Sequence, residues 1–251
     1  VCLLEANEAV GGAVRSARLY PDVLTDLYSA FYPLAAASPV LRALELDRLG
    51  LRWAHAPAVL AHIAHPNDDQ AAVLYRDRER TAAVLDERTP GDGEAWLALC
   101  RQWDVIGDSV LGALFTTFPP VREPLRLLRR IGSAAALRLA RFVLLPVRKM
   151  GEELFRGADA RLLLTGNAMH ADVPPTAPLS GLYGWLLTMV GQQYGFPAPV
   201  GGAGELAAAL ERRAWAAGVE IRTGQRVERI EVRGGRATAV HTAGGCTPAE
   251  P

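Results

Sequence analysis

Apolar residues fall in short unbroken or alternating runs near the two ends of this chain and at helical spacing through its middle. Residues 1–4 form a continuous apolar run, which predicts a strand of a parallel sheet buried on both faces. From about residue 19 to residue 54, Tyr, Phe and Leu mix with several prolines. A helix is expected over 39–46, with Ser38 as N-cap and Pro39 at its first position. Two short runs, 59–64 and 71–75, flank the polar stretch HPNDDQ and predict a hairpin with a long loop.

Beyond Asp77 the period becomes helical. Helices are expected over 78–87, 94–114, 123–145, 151–155, 159–169 and 181–194, with breakers at TPGDG (89–93), Pro119-Pro120 and Pro174-Pro175. In the second of these, Trp96, Leu97, Cys100, Trp103, Ile106 and Leu111 fall near one face. The texture changes at PAPVGGAG (197–204), a glycine turn. A strongly amphipathic helix is expected over 205–217, with Leu206, Leu210 and Ala214 on one side and Gly218 ending it. A short strand over 219–222 and two alternating runs, 226–233 and 236–242 around Gly234-Gly235, predict a final strand and hairpin.

The 251 residues are half hydrophobic, enough for one large domain or two smaller ones. Lys plus Arg equals Asp plus Glu, 27 against 27, so no basic excess points to nucleic acid. Three cysteines without CxxC spacing argue against a disulfide framework or zinc site and fit a reducing, cytoplasmic setting. The five histidines show no metal-ligand spacing, so no metal is expected. Ser29, Ser38 and Ser180 lack the G-x-S-x-G context of a hydrolase elbow. The longest apolar stretches, such as 142–147, are far short of the ~20 residues that span a bilayer. The chain opens inside a strand and closes after a turn signal, as expected of an internal piece of a longer polypeptide. The sequence does not fix an oligomeric state.

Four residues after the first run carry candidate chemistry. Glu5 ends the expected strand, where an acid can accept hydrogen bonds from ribose hydroxyls; a solvated acid at a strand end is the alternative. Gly11 and Gly12 permit positive φ and let backbone approach a bound group, or simply make a turn. Arg15 can neutralise a pyrophosphate or lie solvated. Gly201 and Gly202 open the late helix, and such a start can hold an anion. The P-loop Lys and Ser/Thr are missing there, which argues against nucleoside triphosphate hydrolysis. Eight basic residues fall between Arg122 and Lys149, opposed only by Glu123 and interleaved with apolar ones. They suit peripheral contact with an anionic membrane, or a solvated helix face backed by a core stripe. No catalytic acid or base stands out.

The segment EANEAVGG (5–12) resembles the E-A-x-x-x-x-G-G segment of FAD-dependent oxidoreductases of the amine oxidase and phytoene desaturase superfamily. PVGGAGEL (199–206) is similar to P-x-G-G-x-x-x-L of the phytoene desaturase-like branch, and GVEIRTGQRVERI (218–230) to its G-V-E-I-x-x-x-x-x-V-x-x-I run. YSAFYPLAAASP (28–39) resembles the start of the substrate domain in NAD(P)/FAD-dependent oxidoreductases related to pyridine nucleotide-disulfide oxidoreductase domain-containing protein 2. The resemblance implies an α/β fold. Residues 1–20 and 196–251 would belong to a partial Rossmann-like FAD-binding domain, and 21–195 to a mostly helical substrate domain with a small β component.

The resemblance also implies roles. Glu5 would bind the adenosine ribose, and Gly11 and Gly12 would lie along the FAD phosphates and ribityl chain. Val227 would meet adenine through its backbone. Gly201 and Gly202 would sit near the flavin or substrate side. Ala13 stands where many relatives carry Arg, and Arg15 is the candidate replacement. The family's G-x-G-x-x-G loop would precede residue 1 and its last FAD segment would follow residue 251, so weak FAD binding is expected of this polypeptide alone. The implied activity is oxidation or desaturation of an apolar, carotenoid- or lipid-like substrate by hydride transfer to FAD. The alternatives are an amine oxidase-type flavoenzyme and a non-catalytic binding or scaffold protein that keeps the fold.

Overall fold

The computed structural model describes residues 1–67 and 69–248. In chain order its elements are β1 (Cys2–Leu4), β2 (Ser16–Tyr20), β3 (Val23–Asp26), α1 (Pro33–Ala37), α2 (Pro39–Ala43), a 3-10 turn (Leu46–Leu49), β4 (Trp53–Ala54), β5 (Leu60–His62) and β6 (Ala72–Leu74). Then follow α3 (Arg78–Arg88), α4 (Asp92–Leu114), α5 (Arg122–Leu144), α6 (Val147–Leu154), α7 (Ala158–His170) and α8 (Ser180–Tyr194). The last elements are β7 (Ala198–Pro199), α9 (Gly204–Ala216), β8 (Glu220–Arg222), β9 (Val227–Arg233), β10 (Arg236–Thr242) and β11 (Gly245–Pro248). They form two units. One holds Val1–Phe31, Val40–Ala54 and the described residues from Ala198 on; the other holds Tyr32–Pro39 and His55–Pro197.

The second unit is a helical bundle with one antiparallel hairpin. The hairpin pairs β5 with β6 in the register Leu60↔Leu74, Ala61↔Val73, His62↔Ala72. Helix α3 starts where it does because the Asp77 carboxylate accepts a 2.9 Å hydrogen bond from the Arg80 backbone N–H. Helix α4 buries Trp96, Leu99, Cys100, Trp103 and Ile106, spaced at three and four residues on one stripe. Helices α7 and α8 pack closely at Gly184, where a Cβ would lie 2.5 Å from the Leu164 carbonyl oxygen. Trp185 is fully buried between Trp103 and Phe142, both T-shaped to it at 5.2 and 5.4 Å.

One buried amide ties the bundle together. Gln192 Oε1 accepts from Trp96 Nε1 (2.9 Å) and Cys100 Sγ (3.2 Å), while its Nε2 donates to the Tyr75 carbonyl (2.7 Å) and Thr81 Oγ1 (3.0 Å). All four side-chain positions of the amide are thereby used.

Three expected helices differ in the structure. The one expected over 151–155 begins at Val147, directly after Pro146, and ends at Leu154. The helix expected over 123–145 breaks at Gly132 (φ 77°, ψ 170°), a conformation that a side chain would strain. The helix expected over 39–46 stops at Ala43, and Glu45 turns to φ 50° to lead into the 3-10 turn.

In the first unit, β1 runs parallel to β8, β9–β10–β11 form an antiparallel meander, β2 pairs with β3, and β4 pairs with β7. This unit takes in more of the residues between 21 and 54 than the sequence division at 20 and 196 assigned to it. The reasons are specific pairings. Trp53 and Ala54 pair with Pro199 and Ala198, and Arg212 Nε of α9 donates 2.8 Å to the Leu49 carbonyl.

Candidate functional site

The first unit gathers several of the sequence-selected residues at the carboxyl end of its parallel strand pair. The register of β1 on β8 is Cys2↔Glu220, Leu3↔Ile221, Leu4↔Arg222. The chain leaves β1 through Glu5, whose N–H donates to the Arg222 carbonyl (2.9 Å) and whose carbonyl accepts from Gln225 N (2.8 Å). The Asn7 carbonyl accepts from Gly224 N (2.9 Å). These bonds bring Glu5 to the residues just before Val227, which begins β9 and pairs with Thr242.

Glu5 Oε1 accepts two hydrogen bonds from Asn7, from its backbone N–H and from Nδ2, both 2.7 Å long. The backbone donor and then the side-chain donor hold the Glu5 carboxyl below its ordinary value, with Arg226 adding a smaller pull. Glu5 is therefore ionised at neutral pH and acts only as an acceptor. Asn7 went unnoticed in the sequence; an amide residue two positions after a strand-end acid was the available signal.

The turn after Glu5 uses its two glycines differently. Gly11 has φ 118°, and a Cβ there would lie 2.8 Å from the Val14 carbonyl oxygen and 2.9 Å from Ala207 Cβ of α9. Its missing side chain is required by packing inside the unit. Gly12 has φ 55°, yet a Cβ there would meet nothing within 4 Å, so this backbone faces open space. Arg15 is exposed and makes no ion pair among the described residues. Beside the turn lies a cavity of about 230 Å³ whose walls, including Leu3, Val10, Val14, Leu210 and Ile221, are almost wholly apolar.

The start of α9 is already capped. Asp26 Oδ1 accepts from Ala203 N (2.8 Å), Ser16 Oγ accepts from Gly204 N (2.9 Å), and Ser16 Oγ donates to Asp26 Oδ1 (2.6 Å). The anion at this helix start is thus the chain's own Asp26. Gly202 (φ 93°) has no side chain because a Cβ would sit 2.5 Å from Ser16 Oγ and 2.9 Å from Asp26 Oδ1. Gly201 (φ 95°) precedes it against the Glu205 side chain. Ser16 and Asp26 were not selected from the sequence.

A nucleotide needs an acceptor for its ribose hydroxyls, backbone free of side chains beside its phosphates, and a cation. Ionised Glu5, open Gly12 and Arg15, which makes no ion pair among the described residues, are groups of these three kinds, whereas the Ala203 and Gly204 N–H groups of the α9 start are already engaged.

In the helical unit a separate cavity of about 370 Å³ is lined by Arg76, Cys100, Trp103, Met189 and Gln193, among others. Burial pushes the Cys100 thiol up to about 11, and it donates to Gln192, so it is no ready nucleophile. Among the described residues no three His, Cys, Asp or Glu side chains gather as a metal site, and no helix is long and apolar enough to cross a membrane.

No protein-family model matches this chain, and no curated protein matches it. Solved structures do share its fold. One is an oxidoreductase from Methanosarcina mazei, with a TM-score of 0.53 at 14% identity, covering 99% of this chain and 51% of that one. Another is a putrescine oxidase variant from a structure-based redesign of cofactor binding, with a TM-score of 0.51 at 15% identity, covering 96% of this chain and 49% of that one. The expected α/β fold with a helical part is borne out. The chain spans about half the length of these two proteins.

Proposed function

We propose that this chain is part of a flavin-dependent oxidoreductase and that its first unit holds the adenosine end of FAD. One observation carries the reading. The parallel strand β1 ends in an ionised Glu5 that is hydrogen-bonded through its backbone to Gln225, two residues before Val227. Glu5 accepts from the ribose hydroxyls, the open backbone at Gly12 admits the phosphates, and Arg15 neutralises them. Gly11 shapes that turn by packing on α9, and the backbone of Val227 meets adenine. Gly201 and Gly202 lie toward the flavin or substrate side. When bound, the flavin supplies a hydride acceptor. The helical unit takes the substrate. The resemblance of 199–206 to the desaturase-like branch supports an apolar, carotenoid- or lipid-like one.

A second reading is amine oxidation, which the fold shared with a putrescine oxidase supports by analogy alone. A spectroscopic titration of FAD into the chain, with ADP as competitor, tests the cofactor reading. The chain binds FAD weakly, ADP competes, and Glu5→Gln weakens binding by roughly tenfold, the scale of a hydrogen bond to a charged group. Equal affinity for the Glu5→Gln variant, or no competition by ADP, overturns it.

A further inference from the structure

Helix α5 presents a broad unpartnered face in the helical unit. None of its 23 residues is buried. Leu127, Leu139 and Phe142 pack partly on the core and account for one apolar stripe. They leave a second set unexplained: Leu125 (46% exposed), Leu128 (44%), Leu137 (73%) and Leu144 (58%) face solvent. Phe118, just before the helix, is 88% exposed. A merely solvated face would not carry five large apolar side chains outward, on both sides of the break at Gly132.

The charges on the same helix have one sign in excess. Arg126 and Arg141 pair with Glu123 and Glu153. Arg122, Arg129, Arg130 and Arg138 make no ion pair among the described residues, in a chain whose net charge is zero. Exposed leucines interleaved with unneutralised arginines match a surface that is apolar beneath and anionic above. Nucleic acid would leave the leucines in water.

We propose that α5 and Phe118 dock on an anionic lipid bilayer, lying in its interface. Phe118 and the outward leucines enter the boundary of headgroups and acyl chains, while the free arginines meet lipid phosphates. The inference does not depend on the cofactor reading, and its test involves no flavin.

Co-sedimentation of the chain with phosphatidylcholine vesicles, with and without phosphatidylglycerol, tests it. The chain sediments with the anionic vesicles, stays in solution with the neutral ones, and is released by salt. Changing Arg122, Arg129, Arg130 and Arg138 together to Gln lowers partitioning by about a hundredfold or more. The pair Phe118→Ser and Leu137→Gln lowers it by about tenfold or more without altering charge. Circular dichroism of each variant confirms that it is folded. No sedimentation with anionic vesicles, equal binding by the charge variant, or a self-association that the Leu137→Gln change dissolves without any vesicle binding overturns the proposal.

Discussion

Ser16 donates a 2.6 Å hydrogen bond to Asp26, and the two side chains together close the amino terminus of α9. Removing the acid leaves the Ala203 N–H without its acceptor and deprives the helix start of its negative charge. Asp26→Ala should cost about 2 kcal/mol in urea unfolding and Ser16→Ala about 1 kcal/mol. The two losses should be less than additive, because both act on one helix start. Gly202→Ala should cost at least about 2 kcal/mol, through its positive φ and the Ser16 contact.

This cap marks the limit of what the chain's pattern reveals. Long helices with strong period and clear breakers were legible: 78–87 against Arg78–Arg88, and 205–217 against Gly204–Ala216. So was the strand before Glu5, but not its surroundings: β1 pairs with β8 alone, and Cys2 and Leu3 are exposed rather than buried on both faces. The β4–β7 pair was not, because two-residue strands joined across most of the chain have no local signature. Positive φ at Gly11 and Gly12 was foreseeable, but not which neighbours fill the place of the missing Cβ at Gly11. Ser16 and Asp26 act on α9 from 188 and 177 residues away, a distance that no spacing rule covers.

Glu5 should titrate below the ordinary carboxylate value of 4.5 in an NMR pH series. Asn7→Ala should raise the midpoint only part of the way, because the larger contribution comes from the backbone N–H, which remains. A lowered value in the folded state favours the ionised form. Its contribution is therefore present at neutral pH and lost as pH falls through the folded value. FAD affinity should accordingly stay flat with respect to Glu5 from neutral pH down to about pH 5.

Gln192→Leu should destabilise the helical unit by about 2–4 kcal/mol. It leaves the buried Trp96 N–H without its Gln192 acceptor and removes one partner each from the Tyr75 carbonyl and Thr81, which stay hydrogen-bonded to each other. The same variant should expose Cys100 to alkylation. In the unaltered chain, site-resolved mass spectrometry should find exposed Cys2 alkylated quickly and Cys100 protected.

His62 has a buried Nε2 with no hydrogen-bond partner among the described residues, lying against Gly166, and burial holds its pKa below 6.5. The folded state thus binds fewer protons than the unfolded one. Stability should be constant well above pH 6.5, fall as pH drops below it, and level off beneath the folded value. His62→Phe should flatten the loss between roughly pH 7 and 5. A residue of it should remain from His55, whose pKa is also lowered by burial, with a smaller contribution from Arg76.

Amide chemical-shift mapping of the isotope-labelled chain during a titration with FAD tests the central claim most directly. The account predicts that saturating shifts cluster at residues 5–15 and 225–227 and fall well short of saturation in the Glu5→Gln variant at the same FAD concentration. Shifts confined to other residues, or none at all, would contradict it.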